Sequence, residues 1–170
     1  MAAAWKPTES GRPLVIPALE PGFQRFIAPP IEVKAESSDD WMQWVFGPTD
    51  ADYDVVAIRG GQSSIGHDAL LLATTEPNPV GFTRVWTERD QLSSRSMGGI
   101  GAEGAVPIPD GVVIRIKKGS YFALQTHYLN ASTKPVMGET YVDLRLGPPD
   151  PTHKLASSFA STSLTLSITP

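Results

Sequence analysis

The 16 prolines and 15 glycines spread through these 170 residues constrain the fold more than any other feature. Each proline removes a backbone donor, and glycine weakens the interior of a helix or strand. Between them lie short runs with a two-residue apolar period rather than a helical one. That combination favours a sandwich or barrel built on turns over a helical bundle.

The runs follow one another at short intervals. Residues 31–35 alternate apolar with charged, and 41–46 are apolar on both faces, as a buried strand is. Residues 53–58 end at Gly60-Gly61, and 67–75 lead into a turn through Pro77-Asn78-Pro79. Residues 82–86 form a short candidate strand. Pro109-Asp110-Gly111 is a turn tripeptide that introduces 112–117. Residues 121–129 and 141–146 alternate well; in the latter Val142, Leu144 and Leu146 point one way, Asp143 and Arg145 the other. The last run, 163–168, sets Leu164, Leu166 and Ile168 between Ser and Thr.

Two segments break the pattern. Six prolines between Pro7 and Pro30 predict an irregular arm over residues 1–30. Its Trp5, Phe23 and Phe26 are too apolar for a free tail, so the arm is expected to lie against the domain or a partner. Residues 88–105 carry Gly98, Gly99, Gly101 and Gly104, which predict neither helix nor strand there. No Lys-Ser/Thr follows them, so a phosphate-binding loop is a poor reading. The fold expected is all-β: an antiparallel two-sheet sandwich of the jelly-roll kind over 31–170, preceded by the 1–30 docking arm.

Composition narrows function. Hydrophobic residues at 41% and charged residues at 19% suit a packed core. A net charge of −4 with no basic stretch argues against nucleic acid. No segment approaches the ~20 apolar residues of a membrane-spanning helix. The first residues lack the long apolar region of a signal peptide, which leaves a cytoplasmic chain or one whose signal has been removed. With no cysteine, zinc-ribbon, thioredoxin-like and cysteine-nucleophile chemistry are excluded. Ser63, Ser64, His67 and Asp68 are too close in one strand to form a triad, and there is no Gly-x-Ser-x-Gly elbow. The carboxylates Asp39-Asp40 and Asp50, Asp52 and Asp54 read as solvated turn faces. His153 stands alone in a polar loop.

Of the 3 histidines, His67 and His127 lie inside predicted strands, where an imidazole needs a partner. Their surroundings carry a resemblance. Gly66-His67-Asp68-Ala69-Leu70-Leu71, Ile108-Pro109-Asp110-Gly111-Val112-Val113-Ile114-Arg115 and Leu124-Gln125-Thr126-His127-Tyr128 stand in that order. In these three runs the chain, over roughly residues 23–170, resembles the N-terminal copper-binding domain of the type II, ascorbate-dependent copper monooxygenases, the peptidylglycine α-hydroxylating and dopamine β-monooxygenase family. The resemblance implies a metal site at His67 and His127, with the imidazoles approaching each other across the sandwich. It also implies a second histidine where this chain has Asp68, and a second jelly-roll domain with another copper beyond residue 170.

A carboxylate in place of an imidazole favours zinc or Cu(II) over Cu(I) and opposes reversible electron transfer. In a straight strand His67 and Asp68 point to opposite faces, so both reach one ion only at a bulge or strand end, for which Gly66 offers a kink. Two expectations follow. The first is a non-catalytic interaction or structural subunit with a degenerate copper site, binding copper weakly or not at all and docking on a protein partner or larger assembly. The alternative is the copper-binding, electron-transfer half of a split monooxygenase.

Overall fold

A computed structural model of the chain describes residues 14–38, 42–82, 94–100 and 104–156, with Met42 and Phe82 described by their backbone. Among these residues there is no helix. The strands are β1 (Phe23–Val33), β2 (Ser37–Ser38), β3 (Met42–Phe46), β4 (Tyr53–Gln62), β5 (Gly66–Thr74), β6 (Gly81–Phe82), β7 (Arg95–Ile100), β8 (Ala105–Val106), β9 (Val112–Ile116), β10 (Tyr121–Asn130), β11 (Val136–Gly147) and β12 (Lys154–Leu155).

They form two sheets. One runs β1-β11-β4-β9-β12 with β8 beside β4; the other runs β6-β3-β10-β5-β7 with β2 beside β10. All pairings are antiparallel except β12 on β9. The expected all-β sandwich is thus what the chain forms.

The core between the sheets takes Ala28, Val55, Ile58, Ile114, Val142 and Leu144 from the first, and Leu71, Met97, Ile100, Phe122 and Leu124 from the second. Val142 and Leu144 are buried, as their alternation predicts, while Arg145 is exposed and Leu146 half-buried. Asp143 does face the other way, yet it is buried too. Arg25 on β1 grips it through two hydrogen bonds of 2.7 and 2.6 Å. A planar guanidinium meeting both carboxylate oxygens fixes β1 on β11 with a directionality that apolar contact lacks.

Three expectations need correcting. Residues 1–30 are not irregular to their end, because β1 begins at Phe23. The Pro29-Pro30 pair that argued against a strand falls where the register with β11 shifts between Ala28 and Ile31, on an edge strand where missing donors are tolerated. Phe23 and Phe26 are both half-buried: Phe26 packs on Phe46 and Phe122, and Phe23 lies under the Arg59 guanidinium, 4.8 Å from ring centre to Cζ. Trp5, the 163–168 run, and Asp39-Asp40 lie outside the described residues.

The Gly60-Gly61 pair does not end β4, which continues to Gln62. A Cβ at Gly60 would stand 2.6 Å from the Tyr141 carbonyl oxygen and 2.9 Å from the Ile100 side chain, so the glycine is a close-packing residue within the strand. The glycine run likewise contains β7. Gly98 adopts φ of 147° at a bulge against β5, and a Cβ there would lie 2.7 Å from Val106.

Candidate metal site

β10 and β5 are neighbours in the second sheet, and their ladder places His127 directly opposite Asp68. Along β10, Phe122 and Leu124 point into the core, so Ala123, Gln125 and His127 point outward. Part of that outward face is buried as well: Ala123 packs laterally with Val45 and Leu72, and Gln125 Nε2 donates to Gln43 Oε1 at 2.9 Å. His127 and Asp68 continue the face toward solvent.

The register then slips. Tyr128 pairs with Gly66, not His67, leaving His67 as the extra residue of a bulge. This is the irregularity that the two-residue period requires if His67 and Asp68 are to serve one site. Its causes are local. Gly66 N–H donates to the Ser63 carbonyl at 2.8 Å, closing a tight turn between β4 and β5. A Cβ on Gly66 would collide with the Gln62 side chain.

Gln62 in turn anchors the site from behind. Its Nε2 donates to the Asp68 carbonyl at 3.1 Å and to Thr140 Oγ1 at 3.3 Å, and Thr140 Oγ1 bonds the Tyr128 hydroxyl at 2.7 Å. Thr140 belongs to one sheet and Tyr128 to the other. The bulge is therefore tied to a buried hydrogen-bond chain that crosses the sandwich. Gln62 gave no signal in the sequence, since a glutamine directly after a glycine pair has no motif.

The result is a compact donor cluster. The Nδ1 atoms of His67 and His127 are 3.3 Å apart, with the rings nearly perpendicular at 80°. His67 Nδ1 is 3.4 Å from Asp68 Oδ2, and His127 Nδ1 is 3.9 Å from Asp68 Oδ1. One donor atom from each residue can be chosen so that all lie within 4.8 Å of one another. Asp68 Oδ1 is buried and has no hydrogen-bond partner, a costly state for a carboxylate oxygen unless a cation or donor meets it. Solvent reaches the rest: the side chains of His67, Asp68 and His127 are 52, 42 and 23% exposed.

The imidazoles approach side by side within one sheet, not across the sandwich as the resemblance implied. The reason is that β5 and β10 are laddered neighbours in the second sheet.

Two of these separations, 3.3 and 3.4 Å, fit a small ion, and the third, at 3.9 Å, is longer. Donors about 2.0–2.1 Å from a tetrahedral zinc ion stand roughly 3.3–3.4 Å from one another. Square-planar Cu(II), with right angles between its ligands, would bring neighbouring donors closer, to about 2.8–2.9 Å. Two imidazoles and a carboxylate also form an accepted donor set for divalent first-row metals, with one tetrahedral position left to water or another ligand.

His153 is not alone. Its Nδ1 lies 2.9 Å from Oδ2 of Asp54, which is fully buried rather than solvated. Arg115 holds Asp54 through bonds of 2.7 and 2.9 Å, and the Asp150 N–H adds another at 2.9 Å. The Arg115 hydrogen bond, reinforced by the Asp150 N–H and His153, depresses the Asp54 pKa well below the usual carboxylate range against the opposing effect of burial. With every acceptor site engaged, this cluster is a clamp on the 150–155 loop and not a metal site.

Among the described residues no helix is long and apolar enough to cross a membrane. No protein-family model and no curated protein matches this chain, so a functional reading has to stand on the geometry above.

Proposed function

We propose that this β-sandwich binds one divalent transition-metal ion, zinc(II) foremost, through His67, Asp68 and His127. What supports the reading is the pair of 3.3 and 3.4 Å separations at His67 Nδ1, which match the edges of a tetrahedral zinc shell. The unpartnered buried Asp68 Oδ1 beside them adds a charge in search of a cation. In this reading Asp68 is a ligand in its own right rather than the scar of a lost histidine. A hard, anionic donor beside two imidazoles selects divalent ions over Cu(I), so the site holds an ion rather than shuttling electrons. The role is structural or binding.

Calorimetric titration of metal-free protein with zinc(II) tests this. One ion per chain is expected, with His127→Ala and Asp68→Asn each weakening affinity by about 100-fold or more. Non-stoichiometric uptake, or variants indistinguishable from the wild type, would overturn it.

A further inference from the structure

On the side of the sandwich away from β1, the edge strand β7 of one sheet shares a cavity with β8 and β9 of the other. Arg95, the first residue of β7, crosses this opening and donates to the Ala156 carbonyl just past β12. It lines two cavities. One, of about 380 Å³, has mostly apolar walls, to which Thr74, Thr75, Ser94 and Ser120 add a polar minority. The other, of about 240 Å³, is apolar, walled by Met97, Val106, Ile108, Val112 and Ile114.

Charge decides what fits. Three cations line the first cavity, Arg95, Arg115 and Lys117. Arg115 is held by the buried Asp54, and Lys117 pairs with Asp52 at 2.9 Å near the surface. Among the described residues no carboxylate pairs with Arg95, which keeps one positive charge and most of its five donors available. A guanidinium without a carboxylate partner among the described residues, between two mainly apolar spaces, is complementary to a monoanion with a single apolar tail. A dianionic phosphate would find only one free charge, and a neutral lipid would leave the guanidinium unanswered.

We infer that Arg95 and the cavity beside it bind a small amphiphilic monocarboxylate, with the carboxylate on Arg95 and the Thr/Ser hydroxyls and the alkyl chain between Met97, Ile108 and Ile114. Together the two spaces fall in the range of roughly 300–1,000 Å³ typical of small-molecule sites. Each methylene buried on the apolar side strengthens binding about fourfold. The site is independent of the metal cluster, which lies on the outward face of the β5–β10 ladder.

Octanoate, butyrate, 1-octanol and inorganic phosphate, titrated calorimetrically into wild-type protein, supply the test. Octanoate is expected to bind saturably at one per chain, with each of the other three at least about tenfold weaker. Arg95→Gln should cost octanoate about tenfold while leaving 1-octanol within about twofold, a split that loss of folding does not produce. Ile108→Trp, which fills the apolar side, should weaken both. No saturable octanoate binding, equal affinity for 1-octanol or butyrate, or tighter binding of phosphate would each overturn the inference. The wild-type series decides the matter even if a variant fails to fold.

Discussion

Asp68 is the cross-strand partner of His127 in the β5–β10 ladder, and the bulge beside them leaves His67 Nδ1 3.4 Å from Asp68 Oδ2. The position where the resemblance implies an imidazole is thus directed at the cluster. Restoring the imidazole has a clear expected outcome. Asp68→His should raise Cu(I) affinity by about tenfold or more, because a third neutral, softer imidazole then replaces the charged oxygen. Competition with a Cu(I) chelator measures this. An unchanged Cu(I) affinity would mean that the side chain at position 68 does not reach the ion.

The buried Asp54–Arg115 pair gives a stability prediction. Asp54→Ala leaves Arg115 without its anion and is expected to destabilise by about 3 kcal/mol in urea denaturation at neutral pH. The acid dependence follows in sign. The folded-state pKa of Asp54 is depressed, so its contribution is present above the unfolded value near ~3.9 and is lost as pH falls below it toward the folded value. Wild-type protein should lose stability steeply below about pH 4, and Asp54→Asn should show a shallower acid slope. Parallel slopes would contradict the assignment.

Gly60→Ala tests close packing inside β4. The added methyl meets a backbone oxygen and a core isoleucine, neither of which can swing away, so a loss of about 2 kcal/mol is expected from thermal unfolding. Gly147→Ala, whose methyl meets nothing within 4 Å, should stay within about 0.5 kcal/mol of wild type. Equal effects at the two positions would mean that β4 is not packed as described.

Much of the fold was legible because alternation reports directly on a half-buried sheet. Val142 and Leu144 face the core, and Pro109-Asp110-Gly111 makes its turn, with Val112 N–H on the Pro109 carbonyl and Gly111 at φ of 72°. Glycine misled twice, at Gly60 and in β7. The same missing Cβ that frees a turn also lets one strand press on another, and local sequence does not distinguish the two uses.

Charged residues misled in a different way. Asp54 read as solvated because its partner Arg115 is 61 positions away and joins it only through the β4–β9 ladder. At the metal cluster, the need for a bulge was legible from the two-residue period. Its stabilisation by Gln62 was not, because that contact depends on how the turn from β4 to β5 closes.

The most direct test of the metal reading is zinc X-ray absorption on the wild-type protein loaded with one equivalent of the ion. The spectrum should show only nitrogen and oxygen donors at about 2.0–2.1 Å, with outer-shell scattering from two imidazoles. His67→Ala and His127→Ala should each lower that to one imidazole. A wild-type spectrum without imidazole scattering, or one that both substitutions leave unchanged, would place the ion elsewhere and contradict the account.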